Sequence, residues 1–201
     1  MNAGLEAAVQ AIQGGRLAVV PTDTVYGLAS SPYAEQHVQR LYRAKGRDPR
    51  QPTALLVSDL AMLFECVPEL RGRAGRLASA LLPGPYTLVL PNPARRYRWL
   101  TGARPEAIGV RVPKLTGVAW ALLDRVGALA ATSANLPGGP DPCTLDEVPA
   151  ELREAADALL EGGELTGTPS TVLDFTGPEP RVLREGAAPS AAALRLVAAL
   201  L

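Results

Sequence analysis

Residues 16–29 read RLAVVPTDTVYGLA, and this stretch decides the fold. Residues 16–20 form an apolar run that reads as a buried strand ending at Pro21, which lacks the N–H a sheet ladder needs. A second extended piece, residues 25–29, resumes after Pro21-Thr22-Asp23-Thr24. A parallel crossover takes a dozen or more residues, so this connection is too short for one, and the sheet must be mixed rather than purely parallel.

Working outward, residues 5–12 carry apolar positions at helical spacing until Gly14-Gly15 stops them. Residues 34–44 form an amphipathic helix with Val38, Leu41 and Tyr42 on one face. Residues 54–57 read as a strand, with Ser58 placed to cap a helix starting near Asp59. A helix over 70–82 ends at Pro83-Gly84-Pro85, and the strand 86–90 closes at Pro91. After an arginine- and proline-rich loop, 92–105, come the strand 108–112, a helix 118–126 capped by Thr116, and the buried strand 128–131. Residues 132–143 are a polar Gly/Pro-rich loop, too small-residued to pack a core. An acidic helix near 151–160, strands 171–175 and 181–183, and a helix 191–201 complete the chain. Helices alternating with short strands predict an α/β fold (α+β by some schemes): a twisted mixed parallel/antiparallel sheet flanked by helices. No repeat or linker interrupts the 201 residues, so one domain over 1–201 is expected.

Formal charge is zero and the pI about 6.6, which argues against a generic polyanion binder. The charge is nonetheless uneven. Five basic residues lie in 40–50 against Asp48, and eight acids lie in 141–164 against Arg153. Two cysteines, Cys66 and Cys143, and one histidine, His37, offer no metal-site spacing. No apolar run reaches membrane-spanning length and no leader is visible, so a soluble cytoplasmic protein is expected.

Four loops carry polar residues with little packing use. Pro21–Leu28 sets two hydroxyls and a carboxylate between strands, which also suits a tight turn satisfying its own backbone. Lys45 and Arg47 stand at a helix–loop junction in a chain with 18 arginines and only two lysines. Phosphate would suit this pair, as would a solvated helix end. Thr132-Ser133-Ala134-Asn135 follows an apolar strand, where small polar side chains allow a ligand close approach or cap a turn. The fourth is Pro169–Val172 with 181–186, joined by Arg111, a charge interrupting an apolar strand. No glycine-rich phosphate loop is present, and His37, on a helix, reads as an ordinary surface residue.

In this order the loops resemble the YrdC-like family of threonylcarbamoyl-AMP synthases: PTDTVYGLA at 21–29, KGRDPRQP at 45–52, LLPGPYTLVLP at 81–91, GVRVP at 109–113, ATSAN at 131–135, STVLDF at 170–175 and VLREG at 182–186. The resemblance covers nearly the whole chain and matches the short, single-domain form. It implies a YrdC-like sheet enclosing a basic concave site, with Thr22, Arg111 and Ser170 at threonine and Lys45, Arg47, Thr101, Ser133, Asn135 and Arg184 at ATP. Lys45 and Arg47 are the residues it points to for catalysis. Two departures stand out: Asp141, where the family often has a serine, and Thr53, where it usually has an apolar residue.

The implied activity is nucleotidyl transfer: L-threonine, bicarbonate and ATP, with Mg2+ accompanying the nucleotide, give threonylcarbamoyl-AMP and pyrophosphate for tRNA modification. A carbamate nucleophile is already anionic, in keeping with the lack of histidine or cysteine to activate it. Downstream threonylcarbamoyl-transfer machinery is the implied partner, with tRNA bound at most weakly. The rival reading is a double-stranded RNA- or tRNA-binding or ribosome-maturation factor of the same fold; zero net charge and few aromatics count against it. Carbamoyltransferase relatives embed this domain in a much longer chain with zinc-finger-like cysteines, which this sequence lacks.

Overall fold

In the structure, a computed structural model describing residues 2–199, the Pro21–Thr24 connection does what its length demands. Strand β1 (Ala18–Val20) pairs antiparallel with β2 (Gly27–Ser30), Val20 opposite Gly27. The other strands are β3 (Ala54–Val57), β4 (Tyr86–Pro91), β5 (Ala107–Arg111), β6 (Ala128–Ser133), β7 (Ala158–Leu159), β8 (Thr171–Asp174) and β9 (Arg181–Arg184). They form a nine-stranded sheet in the order β7-β1-β2-β6-β3-β5-β4-β8-β9. Pairs β1–β7, β3–β5 and β4–β8 are parallel and the rest antiparallel, so the sheet is mixed, as expected. The helices are α1 (Ala3–Gln13), α2 (Glu35–Lys45), α3 (Leu60–Cys66), α4 (Gly72–Leu81), α5 (Gly117–Val126), α6 (Ala150–Ala155) and α7 (Ser190–Ala198).

Side-chain alternation gives the two sheet faces different fates. One face presents Leu28, Leu55, Leu88, Val110, Ala130 and Leu173, which join Val38, Leu41, Leu63, Leu77, Leu152 and Val197 of α2, α3, α4, α6 and α7 in the main core. Each fully buried aliphatic side chain contributes about 1.5–3 kcal/mol by leaving water. On the other face, Val9 and Ile12 of α1 and Leu122 and Leu123 of α5 cover Val20, Ala29, Leu56 and Leu129. Neither helix reaches over β4, β8 and β9.

Several boundaries differ from the sequence reading. The first strand spans Ala18–Val20, the second Gly27–Ser30, and the helix expected over 70–82 spans Gly72–Leu81. Asp59, not Ser58, caps α3, its carboxylate accepting from Met62 N at 2.8 Å. Thr116 makes no side-chain cap bond. The acidic helix stops at Ala155 because the next residues bond the open edge of β1: Asp157 N donates to Leu17 O and Leu160 N to Val19 O, forming β7. Loop 132–143 does enter the core, since Ala134 is fully buried. His37 is half-buried against Gly15, where a Cβ would lie 2.1 Å from its Nε2. The last helix ends at Ala198, and the expected extension to Leu200 and Leu201 lies outside the described residues.

One connection bears on the sheet's shape. Leu160 and Thr171 join strands seven positions apart in the sheet order, about 34 Å if the sheet were flat. Eleven residues reach about 36–40 Å fully extended, which leaves almost no slack. Yet this strap bends through positive φ at Gly163 (79°) and Gly167 (72°), so the sheet must curve beneath it. Tyr26 anchors the strap: its hydroxyl donates to Gly163 O at 2.9 Å and accepts from Gly162 N at 2.9 Å. Thr24 O accepts from Gly167 N and Thr166 Oγ1, both at 3.0 Å.

Candidate active site

The uncovered half of the second face is a cavity of about 330 Å³. Its floor follows the two-residue period of the strands: Ala54 and Leu56 of β3, Thr87 and Val89 of β4, and Ala107, Gly109 and Arg111 of β5 all line it. A Cβ on Gly109 would make only ordinary contacts, 3.8 Å from Thr87 Cγ2, so glycine here leaves room rather than relieving a clash. Four arginines also line the cavity: Arg47, Arg104, Arg111 and Arg184.

At one end, Arg111 closes β5 with only 7% of its surface exposed. Its Nη2 donates to Asp23 Oδ1 at 2.6 Å, and Asp23 Oδ2 also accepts from Lys114 N at 3.3 Å. Among the described residues the buried Nε has no protein partner. Burial pulls the guanidinium pKa down; Asp23 opposes this and Arg184 adds to it. The cation is therefore held in place with hydrogen-bonding capacity left over. Ser170 is beside Thr87, their hydroxyls 2.8 Å apart, and receives Arg184: Nη2 donates to Ser170 O at 2.8 Å and to its Oγ at 3.2 Å. Gly186 presses this turn against the Pro169–Ser170 backbone, where a Cβ would lie 2.1 Å from Pro169 O. Thr22 lines the same cavity, but its hydroxyl is committed to the turn: it donates to Val25 O at 2.7 Å and accepts from Thr24 N and Val25 N.

The second cluster corrects the picture of Lys45 as an exposed cation. It is the last residue of α2, only 4% exposed, and the helix ends at Gly46 in the left-handed region. Its Nζ donates to Asn135 Oδ1 at 2.8 Å, Thr132 Oγ1 at 3.2 Å and the Ser133 carbonyl. Ser133 Oγ donates to Asn135 Oδ1 at 2.7 Å, and Asn135 Nδ2 to Gly139 O at 2.7 Å. Arg47 donates from Nη1 to Thr132 Oγ1 at 3.2 Å and from Nη2 to Pro52 O at 2.7 Å. The Lys45/Arg47 pair and the Thr132–Asn135 stretch, separate loops in the sequence, are thus one hydrogen-bonded unit. Thr101, buried on the cavity wall, donates its hydroxyl to Arg98 O at 2.8 Å.

Burial, with Arg47's charge adding to it, pushes the Lys45 pKa down to about 8; Asp141 opposes the shift. The cation is present below that pH and lost as pH rises through it, so anion binding that uses Lys45 weakens in the same interval. The kcat/KM for ATP, which reports free-enzyme ionisations, should fall above about pH 8, and Asp141→Asn should move that fall to lower pH. A profile flat to about pH 9.5 would contradict this.

Sequence reasoning missed three cavity residues. Arg104 is held by Asp174 Oδ2 at 3.0 Å and Thr176 Oγ1 at 2.9 Å, and only its place in the arginine-rich loop hinted at it. Burial would raise the Asp174 pKa, but Thr176, Arg104 and Arg181 outweigh it and hold the carboxyl at about 2. Leu183 reaches the cavity beside Arg184 because β9 carries an extra residue opposite Val172/Leu173, a bulge that periodicity cannot show. Thr132 was quoted only as part of its loop.

The mixed sheet, its helices and these loops are those of a known family. The sequence model of the Sua5/YciO/YrdC domain, described as "Telomere recombination", matches residues 10–186, and the chain belongs to this family. A Mycobacterium tuberculosis protein that bears the name threonylcarbamoyl-AMP synthase provisionally is 36% identical over 91% of this chain and 84% of its own. Pyrococcus abyssi Sua5, solved in complex with L-threonine, superposes with a TM-score of 0.86 at 32% identity, covering 96% of this chain. This chain spans little more than half of that protein, 56%. Escherichia coli YciO, named as uncharacterized, is 32% identical over 89% of this chain and 87% of its own. Its crystal structure gives a TM-score of 0.80, covering 92% of this chain and 90% of that one.

Proposed function

We propose that this protein is an L-threonylcarbamoyladenylate synthase, acting as a nucleotidyltransferase. The observation that carries the reading is that Arg47, bonded into the Lys45 unit, and Arg111, with its neighbour Ser170, line a single cavity. Relatives named threonylcarbamoyl-AMP synthase and a structural neighbour solved with L-threonine support this assignment.

Arg111 and Ser170 take the threonine carboxylate, and any part for Thr22 goes through its backbone or methyl group. The threonine ammonium gives up a proton, and the free amine then condenses with bicarbonate, losing water, to give a carbamate. A carbamate oxygen attacks the α-phosphorus of ATP, and the bond to the leaving pyrophosphate breaks. No side chain must activate this anionic nucleophile, so positioning and charge stabilisation carry the catalysis. Lys45, Arg47 and Arg184 supply charge at the phosphates, Arg184 from its seat on Ser170. Ser133 and Asn135 orient the nucleotide, and Thr101 lines the nucleotide side. Mg2+ would enter with the nucleotide; among the described residues no cluster of three or more His, Cys, Asp or Glu gathers to hold a metal. The product serves the machinery that transfers threonylcarbamoyl to tRNA, with tRNA itself bound weakly at most. Among the described residues, no helix is long and apolar enough to cross a membrane.

Pyrophosphate release should require threonine and bicarbonate together. Equal release without threonine, or with glycine in its place, would sink the assignment.

A further inference from the structure

Thr132 sits between the two cations of the nucleotide cluster. Its Oγ1 accepts from Lys45 Nζ at 3.2 Å and from Arg47 Nη1 at 3.2 Å. A threonine hydroxyl has two acceptor lone pairs and one proton to donate. Both lone pairs face cations, so the proton is directed away from them, and among the described residues no protein acceptor receives it. The residue also lines the cavity. A hydroxyl flanked by two cations is polarised towards donation, and an anionic oxygen is the acceptor it favours.

We propose that Thr132 is a further substrate-binding residue, donating its hydroxyl proton to the nucleotide phosphate oxygen that Lys45 and Arg47 attract. The inference rests on the proposed reading of the cavity as an ATP site. Its geometry predicts one anion seat in which the Arg47 guanidinium and the Thr132 hydroxyl donate directly, while the Lys45 ammonium, its three N–H groups spent on Asn135, Thr132 and the Ser133 carbonyl, acts through its charge.

A merely structural Thr132 and a substrate-contacting one give opposite results. If the hydroxyl only holds the cations, Thr132→Val leaves them facing each other without an intervening oxygen. An incoming phosphate then takes over as shared acceptor, and affinity stays level or improves. If the proton is donated to phosphate, the same variant loses a hydrogen bond to a charged group.

The test is calorimetric titration of wild type, Thr132→Val and Thr132→Ser with ATP and with inorganic tripolyphosphate, alongside thermal melts. Thr132→Val should weaken both ligands about tenfold or more, Thr132→Ser should restore binding to within about threefold, and the melting temperatures of the two variants should agree closely. Unchanged or tighter binding in Thr132→Val overturns the proposal, as does failure of Thr132→Ser to restore it. Loss of ATP binding with tripolyphosphate binding intact also overturns it, because the contact would then lie away from the phosphates. Failure of the enzymatic reading registers separately, as wild-type pyrophosphate release that ignores threonine.

Discussion

Lys45→Ala should lower turnover about a hundredfold while weakening ATP binding less. In the proposed mechanism Lys45 serves phosphate oxygens whose charge grows during attack at the α-phosphorus, so its help is greatest in the transition state. Removing a comparable preorganised donor costs about 3 kcal/mol. Burial makes this a harsher change than loss of a solvated helix-end cation, which would cost about 0.3–1 kcal/mol of stability. Alanine leaves Asn135 Oδ1 and the Ser133 carbonyl without their Lys45 donor, at a cost of about 1–3 kcal/mol. Turnover must therefore be compared well below the melting transition of both proteins. Retention within about threefold of wild type there, a change well below 1 kcal/mol, would reduce Lys45 to a structural cation.

Arg111→Lys should raise the threonine KM on the order of thirtyfold and leave ATP affinity nearly unchanged. The arginine spends Nη2 on Asp23, and among the described residues its Nη1 makes no protein hydrogen bond, so in the proposed site it grips Asp23 and a carboxylate at once. Lysine offers one charged nitrogen and no planar fork, so one grip must be given up. The loss is that of about one charge-assisted hydrogen bond, roughly 2 kcal/mol. Steady-state titration of each substrate with the other saturating reads the split. An equal loss for threonine and ATP would mean that the Asp23–Arg111 pair holds the fold rather than the substrate.

Much of this architecture was legible from residues alone because its signals are local. The length of the Pro21–Thr24 turn forces the antiparallel β1–β2 pair, and apolar periodicity places α1, α2 and α5 to within a few residues. What escaped depends on partners distant in sequence. β7 exists because β1 offers an open edge some 140 residues away, and that pairing cuts short a helix the local pattern favours. Lys45 reads as solvated until Thr132, Ser133 and Asn135 arrive from 87–90 residues further on. Thr22 illustrates the reverse case, where the ordinary reading of a turn hydroxyl describes its bonds. Arg104 needs Asp174 and Thr176 before its position acquires meaning, and no spacing rule links the three.

The strap across the curved sheet has a consequence for how cavity width is inherited. Like a bowstring, a connection too short to follow a flat sheet with room to bend sets an upper limit on how far apart the two ends of the sheet can lie. The width of the cavity is then written in a count of residues between Leu160 and Thr171 rather than in the chemistry of any one of them. Amino-acid replacements along this segment leave the count untouched, whereas a deletion draws the sheet tighter and an insertion lets it relax. Relatives that accept larger or smaller molecules on the same floor could therefore differ by a change of length far from the residues that touch the ligand.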